Sequence, residues 1–324
     1  MKLLSIAVPT YNMEKYLSNC IDSMLGDKPD DRLEIIIVND GSKDSSIKIA
    51  EGYKVKYPNI VRIIDKENGG YGSTINASVK IAEGKYYRVV DSDDAVNVDD
   101  LKRLLDKLAK AEADMIVTDY TQFYDDSNTT NYIKATQFNE NTKYNLKTTQ
   151  LKERIPMHMA YFKTELIKDI SILEHCFYVD VDYVASCVSR CSSLEYYALN
   201  VYQYRLGRMG QSVSLEGYYK HLNDMLLVAK SLVEKASSNK DNNYCYIEAM
   251  ALLKTLYSLL ITFYNKNHET KRFMKELDVY IKNQSIEIYK ASNSVMRFKV
   301  IWIIRHTGYF AMGLFCILKK IIKG

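Results

Sequence analysis

Proline and glycine are scarce in this sequence. Its 324 residues include 4 prolines and 13 glycines, which leaves little room for linkers or low-complexity segments. Hydrophobic residues make up 47% and charged residues 26%, as in ordinary folded proteins. These proportions exclude a largely disordered chain, and the length favours two domains over one.

Acidic residues are absent from residues 295–324, where the charged side chains are Arg297, Lys299, Arg305, Lys319, Lys320 and Lys323. The net charge of the whole chain, +4, is too small to indicate nucleic-acid binding. Two apolar runs in this tail, 300–304 and 309–318, are shorter than the roughly 20 residues that span a bilayer. The pattern favours a helix lying on an anionic membrane surface, at the inner face of the cell membrane. A packed core or oligomer helix and a true span are the alternatives, and no oligomeric state is predicted.

A secretory signal is also missing. The first apolar run ends at Pro9, Tyr11 and Asn12, well short of the apolar region of a signal peptide. We therefore expect a cytoplasmic, reducing location in which the six cysteines are thiols. Cys187 and Cys191 lie four residues apart, but no second close pair accompanies them, so buried thiols are favoured over a zinc site.

The first part of the chain alternates apolar, β-prone runs with amphipathic segments. Strands are predicted at residues 3–8, 33–38, 60–64, 86–90 and 115–118, mostly apolar throughout, as in parallel strands covered on both faces. Apolar residues at helical spacing predict helices at 16–25, 73–83 and 101–108. This alternation predicts an α/β domain with a doubly wound sheet.

The pattern changes further along the chain. Residues 120–150 are rich in Asn, Thr and Tyr and are predicted to be irregular or a β-ribbon. From about Leu215 onward, apolar residues recur at helical spacing. We therefore predict a catalytic domain at residues 1–214 and a helical C-terminal domain at residues 215–324.

Three predicted strands end in polar segments: residues 9–12 (PTYN), 39–42 (NDGS) and 91–94 (DSDD). In an open α/β sheet, ligands bind beyond the carboxyl ends of the strands, so these segments are expected to line one crevice. Three acids within four residues repel one another unless a cation or hydrogen-bond donors compensate them. Carboxylate oxygens suit Mg²⁺ or Mn²⁺, which would also bridge a diphosphate. A solvated turn that caps the next helix is the alternative.

A glycine-rich stretch, residues 67–73 (ENGGYGS), opens a predicted helix, where free backbone amides favour anions. It lacks the third glycine of a dinucleotide fingerprint and the Gly-Lys-Ser/Thr of a P-loop. Taken alone, it favours a turn that needs the conformational freedom of glycine.

Four segments, in this order, resemble the family 2 glycosyltransferases of the GT-A fold: VPTYNMEKYL, IIIVNDGSKDSS, ENGGYGSTINAS and VVDSDDA. The likeness continues at residues 177–184 (FYVDVDYV) and 201–214 (VYQYRLGRMGQSVS), so it covers about two-thirds of the chain. It implies a Rossmann-like, mainly parallel sheet flanked by helices, with a helical C-terminal domain after it.

The resemblance also implies roles for single residues. Tyr11 would stack on the nucleotide base, and Asp40 would accept a hydrogen bond from a uracil N–H. Asp91 matches a carboxylate near the ribose and the metal, and Asp93 matches the metal ligand. Thr10 also matches a position that holds the base. The remaining residues that line the implied donor site are Pro9, Gly70, Asn76 and Ser92, together with a late segment that closes over the diphosphate and contains Arg205, Arg208, Gln211 and Ser212.

Asp180 matches the aspartate that acts as general base in the Glu-Asp motif of the family. Val179 stands where the family has glutamate, so Asp182 remains a second candidate, and a surface acid beside a helix is the alternative reading of Asp180. The implied reaction is a single displacement that inverts the anomeric configuration. A divalent metal would neutralise the departing nucleoside diphosphate, and a carboxylate would deprotonate the acceptor hydroxyl. His158 is interpreted as a buried structural histidine.

The sequence therefore predicts an inverting, Mn²⁺- or Mg²⁺-dependent glycosyltransferase for polysaccharide or glycoconjugate biosynthesis. Its expected partners are a UDP-sugar donor and a saccharide or lipid-linked acceptor. A sugar-phosphate nucleotidyltransferase would have a glycine-rich signature with Arg and Lys after the first strand, and the segment PTYN has neither. A non-catalytic protein that binds nucleotide sugars or polysaccharides is the remaining alternative, and the missing glutamate before Asp180 favours it.

Overall fold

The computed structural model describes residues 1–207, 214–239, 243–264 and 269–323, with side chains in the last helix described as far as residue 317. The chain divides into two compact units, Met1–Gly210 and Gln211–Gly324. The domain boundary drawn from the sequence, after residue 214, lies four residues beyond this division.

Within the described residues, the first unit contains one ten-stranded mixed sheet. Its strands are β1 (Leu4–Thr10), β2 (Leu33–Asp40), β3 (Val61–Lys66), β4 (Tyr86–Val89), β5 (Ala95–Val96), β6 (Met115–Tyr124), β7 (Thr129–Ile133), β8 (Lys143–Asn145), β9 (Ala160–Lys163) and β10 (Ser193–Leu206). The main path runs β3-β2-β1-β4-β9-β6-β10-β5, with β7 paired to β6 and β8 paired to β10. Strands β1 to β4 pair in parallel, as do β6 and β10, whereas β9 is antiparallel to both of its neighbours. The predicted α/β fold with a mainly parallel sheet is confirmed.

Helices cover the sheet in the first unit. They are α1 (Leu17–Leu25), α2 (Ser46–Lys56), α3 (Tyr71–Ile81), α4 (Val98–Leu108), α5 (Thr164–Ile167) and α6 (Asp180–Val188). Every residue of β1 and β2 is buried, which explains why their sequences are mostly apolar without strict alternation. Helix α4 begins at an Asn97 cap whose side chain accepts hydrogen bonds from the amides of Asp99 and Asp100. Helix α2 was not predicted, because it buries only Ser46 and Ala50 and so carries no apolar stripe.

The order of the strands places a crevice at the carboxyl end of β1. From β1 the chain builds β2 and β3 on one side and then returns to place β4 on the other side. Ligands of open α/β sheets bind where the strand order reverses in this way. The long strand β10 reaches the same region, and its register shifts between Tyr197 and Asn200 and again between Asn200 and Tyr202. Bulges of this kind re-aim the side chains that follow them.

The second unit is helical, as predicted. Its helices are α7 (Leu215–Lys220), α8 (Leu222–Ser238), α9 (Tyr244–Phe263), α10 (Glu269–Gln284), α11 (Ile286–Ala291), α12 (Val300–His306) and α13 (Met312–Lys323). By length and composition α9 could cross a membrane, but 56% of its apolar window is buried inside the unit, as in the core helix of a folded domain. It is the one such helix among the residues described.

A buried polar cluster fixes Arg305 in the core of this unit. Its Nη2 donates to Asp278 Oδ1 at 2.5 Å, and the Tyr257 and Tyr309 hydroxyls each donate to the same carboxylate at 2.6 Å. The side chains of Arg305 and Asp278 are only 4% and 3% exposed. The expectation that Arg305 faces an anionic membrane is therefore wrong, because a buried charge must keep its partner. Ile301 and Ile304 are also fully buried, so α12 packs one face into the core of the unit.

Candidate functional site

The segments that follow β1 and β2 contact each other at the crevice. The Asn12 amide donates to Ser42 Oγ at 3.0 Å, and the Lys43 amide donates to Asn12 Oδ1 at 2.8 Å. Pro9 and Thr10 are buried, whereas the Tyr11 ring is 48% exposed. Tyr11 therefore presents an aromatic face to solvent, as a residue that stacks on a base must.

Asp40, at the end of β2, is buried and holds the glycine-rich turn. Its Oδ1 accepts from the Gly69 amide and from Lys66 Nζ at 2.9 and 2.8 Å, and its Oδ2 accepts from the Gly70 amide at 2.9 Å. These amides are thus committed to Asp40 and are not available to a phosphate. Oδ2 accepts one bond within the described part of the chain, so one of its lone pairs can receive a ligand N–H.

The glycine-rich turn packs closely against the segment that leads to α6. The His175 amide donates to the Gly69 carbonyl at 2.6 Å, and a Cβ on Gly72 would lie 2.0 Å from the Leu173 carbonyl oxygen. Gly70 adopts a φ of +80°, which favours glycine. These contacts explain the glycines as a turn and a close approach, one of the alternatives left open by the sequence.

Asn76 braces the same segment. Its amide Nδ2 donates to the Ile172 carbonyl at 2.9 Å and to Glu174 Oε1 at 3.1 Å, and its Oδ1 accepts from the Ile172 amide at 2.8 Å. The side chain is buried, so its polar groups serve the fold of this segment. A direct contact between Asn76 and a donor stays a prediction.

The acidic segment after β4 is held by tyrosines from distant parts of the chain. The Tyr71 hydroxyl donates to Asp91 Oδ1 at 2.6 Å. The Tyr202 hydroxyl donates to Asp94 Oδ2 at 2.5 Å and accepts from the Asp91 amide at 3.1 Å. Burial, followed by the charges of Asp91 and Asp93, raises the pKa of Asp94 well above its usual range. Ser92 is buried within this turn.

Asp91, Asp94 and His158 form a group that fits a divalent cation. One ligand atom from each lies within 4.8 Å of the others, and this is the one such group of three among the residues described. Nδ1 of His158 is buried without a hydrogen-bond partner in the described chain. Burial, assisted by the charge of Arg88, lowers the pKa of His158 to about 3, so the ring is neutral and can act as a ligand.

The predicted ligand Asp93 is not part of this group. Its backbone carbonyl accepts from Nε of Arg205 at 2.8 Å. Arg205 also forms an ion pair with Asp125 at 2.8 Å, and its backbone amide donates to Asp94 Oδ1 at 2.7 Å. Arg205 therefore lies beside the acidic segment, whereas the predictions for Arg208, Gln211 and Ser212 fall outside the described residues.

Asp180 begins helix α6, which packs against the 3-10 helix Met157–Met159 that contains His158. Burial is the largest cause of the raised pKa of Tyr71, followed by the charge of Asp91 and its hydrogen bond. The charge of Asp180 raises this pKa further. Burial raises the pKa of Asp180 itself, against a smaller opposing effect of Arg154. Asp182 is only 1% exposed, and its charge acts on Cys187 in the same helix. A two-residue step rotates a helical side chain by about 200°, so these carboxylates point in different directions.

His158 and Tyr204 are the members of this site that sequence reasoning missed. Tyr204, which precedes Arg205 on β10, stacks on the His158 ring with centroids 4.1 Å apart. A weak signal was present in VYQYRL, where Tyr202 and Tyr204 alternate as on one face of a strand. No local pattern marks His158, which lies in a short 3-10 helix, Met157–Met159.

The six cysteines are free and buried, as expected for thiols in the core. Cys191 Sγ donates to the Cys187 carbonyl at 3.3 Å. Neither cysteine belongs to a metal-binding group among the described residues.

Residues 5–171, just over half of the chain, match the family described as Glycosyl transferase family 2. The glycosyltransferase GlyG of Streptococcus pneumoniae is 35% identical over 136 residues, which cover 42% of this chain and 44% of GlyG. The minor teichoic acid biosynthesis protein GgaB of Bacillus subtilis is 24% identical over 270 residues, which cover 79% of this chain and 29% of GgaB. The chain thus matches less than half the length of each relative.

A solved structure shows the same fold. TarS of S. aureus, residues 1–349 in complex with UDP-GlcNAc, aligns with a TM-score of 0.62 and 18% identity. The alignment covers 95% of this chain and 92% of that chain. The GT-A arrangement expected from the sequence is thereby confirmed.

Proposed function

Because the chain belongs to glycosyl transferase family 2, we propose that it moves a sugar from a UDP-sugar to a hydroxyl of a saccharide or lipid-linked acceptor. The observation that carries this proposal is a group that fits a divalent cation, with a further carboxylate, Asp180, at the start of a helix that packs beside it. Asp91 and Asp94 lie with His158 in one group, and helix α6, which begins at Asp180, packs against the 3-10 helix Met157–Met159 that contains His158. A metal-bound leaving group and a general base need this juxtaposition.

Two features support a uracil nucleotide. The exposed Tyr11 ring can stack on a base, and Asp40 Oδ2 retains a lone pair for the uracil N3–H. TarS, which shares the fold, was solved with UDP-GlcNAc, so this compound is a suitable first probe.

Titration calorimetry with Mn²⁺ tests the choice of base. UDP should bind, dTDP should be the nearest competitor because thymine keeps the same N–H, and GDP should not bind. Buried hydrogen bonds discriminate strongly against a base that leaves them unpaired. The control is the same titration without metal, in which UDP binding should weaken. Tight GDP binding without UDP binding would contradict this part of the proposal.

Asp91, Asp94 and His158 would hold the divalent cation. Two carboxylates and a neutral imidazole suit Mn²⁺ better than Mg²⁺, which prefers oxygen ligands. When bound, the cation neutralises charge on the departing diphosphate, so the protein needs no acid at that position. Asp93 is the ligand that the family resemblance indicates, and it is the alternative to Asp94.

Asp180 would act as the general base. It lies at the N-terminus of α6, where the helix dipole favours a carboxylate, and it would take the proton of the acceptor hydroxyl. Direct attack by that hydroxyl on the anomeric carbon inverts its configuration. The burial of Asp182 makes it the weaker candidate. GgaB, a teichoic acid biosynthesis protein, supports an acceptor that belongs to a cell-surface polymer.

The second unit would attach peripherally to the inner face of the cell membrane. Between residues 297 and 317 it exposes large apolar side chains, and no acidic residue lies among them. These exposed side chains are Phe298, Trp302, Phe310, Leu314 and Ile317. Arg297 and Lys299, which are also exposed, flank Phe298. Apolar side chains next to basic ones suit an anionic lipid surface.

Replacing Phe298 and Phe310, which are 88% and 82% exposed, tests the membrane contact. The double variant Phe298→Ser with Phe310→Ser should sediment less with vesicles that contain phosphatidylglycerol, because it loses apolar area at the headgroup boundary. Val55→Ser is the matched control, since Val55 is 82% exposed in the first unit. Equal sedimentation of the double variant and the unaltered protein would contradict the proposal.

A further inference from the structure

Tyr204 lies on β10 beside the residues that form the group suited to a cation. It follows Tyr202 by two residues, and side chains two residues apart on a strand share a face. Tyr202 bonds Asp94, and the backbone amide of Arg205 bonds the same carboxylate. The ring of Tyr204 stacks on His158 with an interplanar angle of 29°. The phenol therefore lies against the group that fits a cation.

The carboxylates of the site, including that of Asp180, also act on Tyr204. Burial and then the charges of Asp94, Asp91, Asp180 and Asp93, in this order, raise the pKa of Tyr204. A tyrosine hydroxyl, with an ordinary pKa of about 10, is a neutral O–H donor at physiological pH. Helix α6, which begins at Asp180, packs against the 3-10 helix Met157–Met159 that contains His158, so the ring on His158 lies on the side of the base.

The hydroxyl of Tyr204 is not used by the fold. Within the described residues it has no hydrogen-bond partner, whereas the Tyr71 hydroxyl is bonded to Asp91. The Tyr204 side chain is only partly buried, and its hydroxyl is not among the buried polar atoms that lack a partner, so the hydroxyl is accessible to a ligand.

The geometry of the reaction identifies that ligand. In a single displacement the anomeric carbon lies between the leaving oxygen, which is near the cation, and the attacking oxygen, which is near the base. We propose that the Tyr204 hydroxyl donates a hydrogen bond to the transferred sugar of the UDP-sugar. This inference rests on the proposed function and extends it, because it assigns a residue to the sugar rather than to the nucleotide.

The variant Tyr204→Phe separates the sugar from the nucleotide. Calorimetry with Mn²⁺ should give an unchanged Kd for UDP. The Kd for the UDP-sugar should be about two- to tenfold higher than in the unaltered protein, where the UDP-sugar is UDP-glucose or UDP-GlcNAc, whichever the unaltered protein binds. This range is that of one neutral hydrogen bond. The kcat/KM for that UDP-sugar should fall by a similar factor. The phenyl ring keeps the stacking on His158.

Tyr120→Phe is the matched control. Tyr120 also stacks on His158, with centroids 5.2 Å apart, but its raised pKa is due to burial and not to the carboxylates of the site. It should leave the Kd values of UDP and of the UDP-sugar unchanged.

Three results would overturn the inference. Unchanged UDP-sugar affinity and turnover in Tyr204→Phe would show that the Tyr204 hydroxyl does not bind the sugar and that the ring only packs against His158. An equal loss for UDP and for the UDP-sugar would show that Tyr204 acts through the cation or the nucleotide. If the unaltered protein bound none of UDP, UDP-glucose and UDP-GlcNAc, this result would contradict the proposed function itself, and the inference with it.

Discussion

Replacing Asp180 by asparagine should lower turnover by roughly 10²- to 10⁴-fold, the usual contribution of a general base, and leave the Kd of UDP unchanged. The amide keeps the size of the carboxylate but cannot take the proton of the acceptor. Steady-state transfer rates and UDP calorimetry measure the two effects separately.

The pH profile gives a second readout of Asp180. Burial raises its pKa, so the carboxyl stays protonated, and inactive as a base, up to a higher pH than an ordinary aspartic acid of pKa about 3.9. The kcat/KM of the unaltered enzyme should rise with pH through this raised pKa, and Asp180→Asn should lose that limb. Asp182→Asn is the matched comparison and should keep near-normal turnover. A thermal unfolding measurement checks that this variant is folded. Near-normal turnover in Asp180→Asn, with loss in Asp182→Asn, would move the role to Asp182.

Removing a ligand of the cation should have an effect of similar size. Asp91→Asn and Asp94→Asn should each weaken Mn²⁺-dependent UDP binding by about 10²-fold or more, since even outer-shell partners of a metal contribute 10- to 100-fold. His158→Phe keeps an aromatic ring against Tyr204 but lacks the ligand nitrogen, so it should weaken the same binding. Titration of Mn²⁺ in the presence of UDP measures these changes.

Asp93→Asn decides between the geometry and the family resemblance. The group formed by Asp91, Asp94 and His158 predicts a small effect at Asp93. A complete loss of Mn²⁺-dependent binding in Asp93→Asn, with little change in Asp94→Asn and His158→Phe, would assign the cation to Asp91 and Asp93 instead.

The predicted parts of the fold are those whose signals are local. Strands β1 and β2 are buried along their whole length, so their sequences are mostly apolar and mark both the strands and the polar residues at their ends. Strand β10 was not predicted, because its sequence, SLEYYALNVYQYRL, mixes polar and aromatic residues and its register shifts twice. The helical tail was recognised, but the burial of Arg305 depends on Asp278, which lies 27 residues earlier.

The residues of the candidate site also differ in whether a local sequence signal marks them. Asp91 and Asp93 are visible in the sequence because acids crowd together after a strand, and Asp180 was proposed from the family resemblance. His158 and Tyr204 come close to them only through tertiary packing, since His158 lies 67 residues after Asp91 in the chain. The role of Asp40 in holding the glycine-rich turn was likewise invisible, because the amides that it binds lie about 30 residues away.

The most direct test of the central claim is an assay of UDP release. The full chain is incubated with UDP-glucose or UDP-GlcNAc, with teichoic acid or a saccharide acceptor, and with Mn²⁺ or a chelator. The account predicts UDP release that requires the cation and is largely lost in Asp180→Asn, together with a glycosylated acceptor whose new bond has the inverted configuration. A protein that binds these UDP-sugars with Mn²⁺ but releases no UDP with any acceptor would contradict it, and would identify a nucleotide-sugar-binding protein without catalysis.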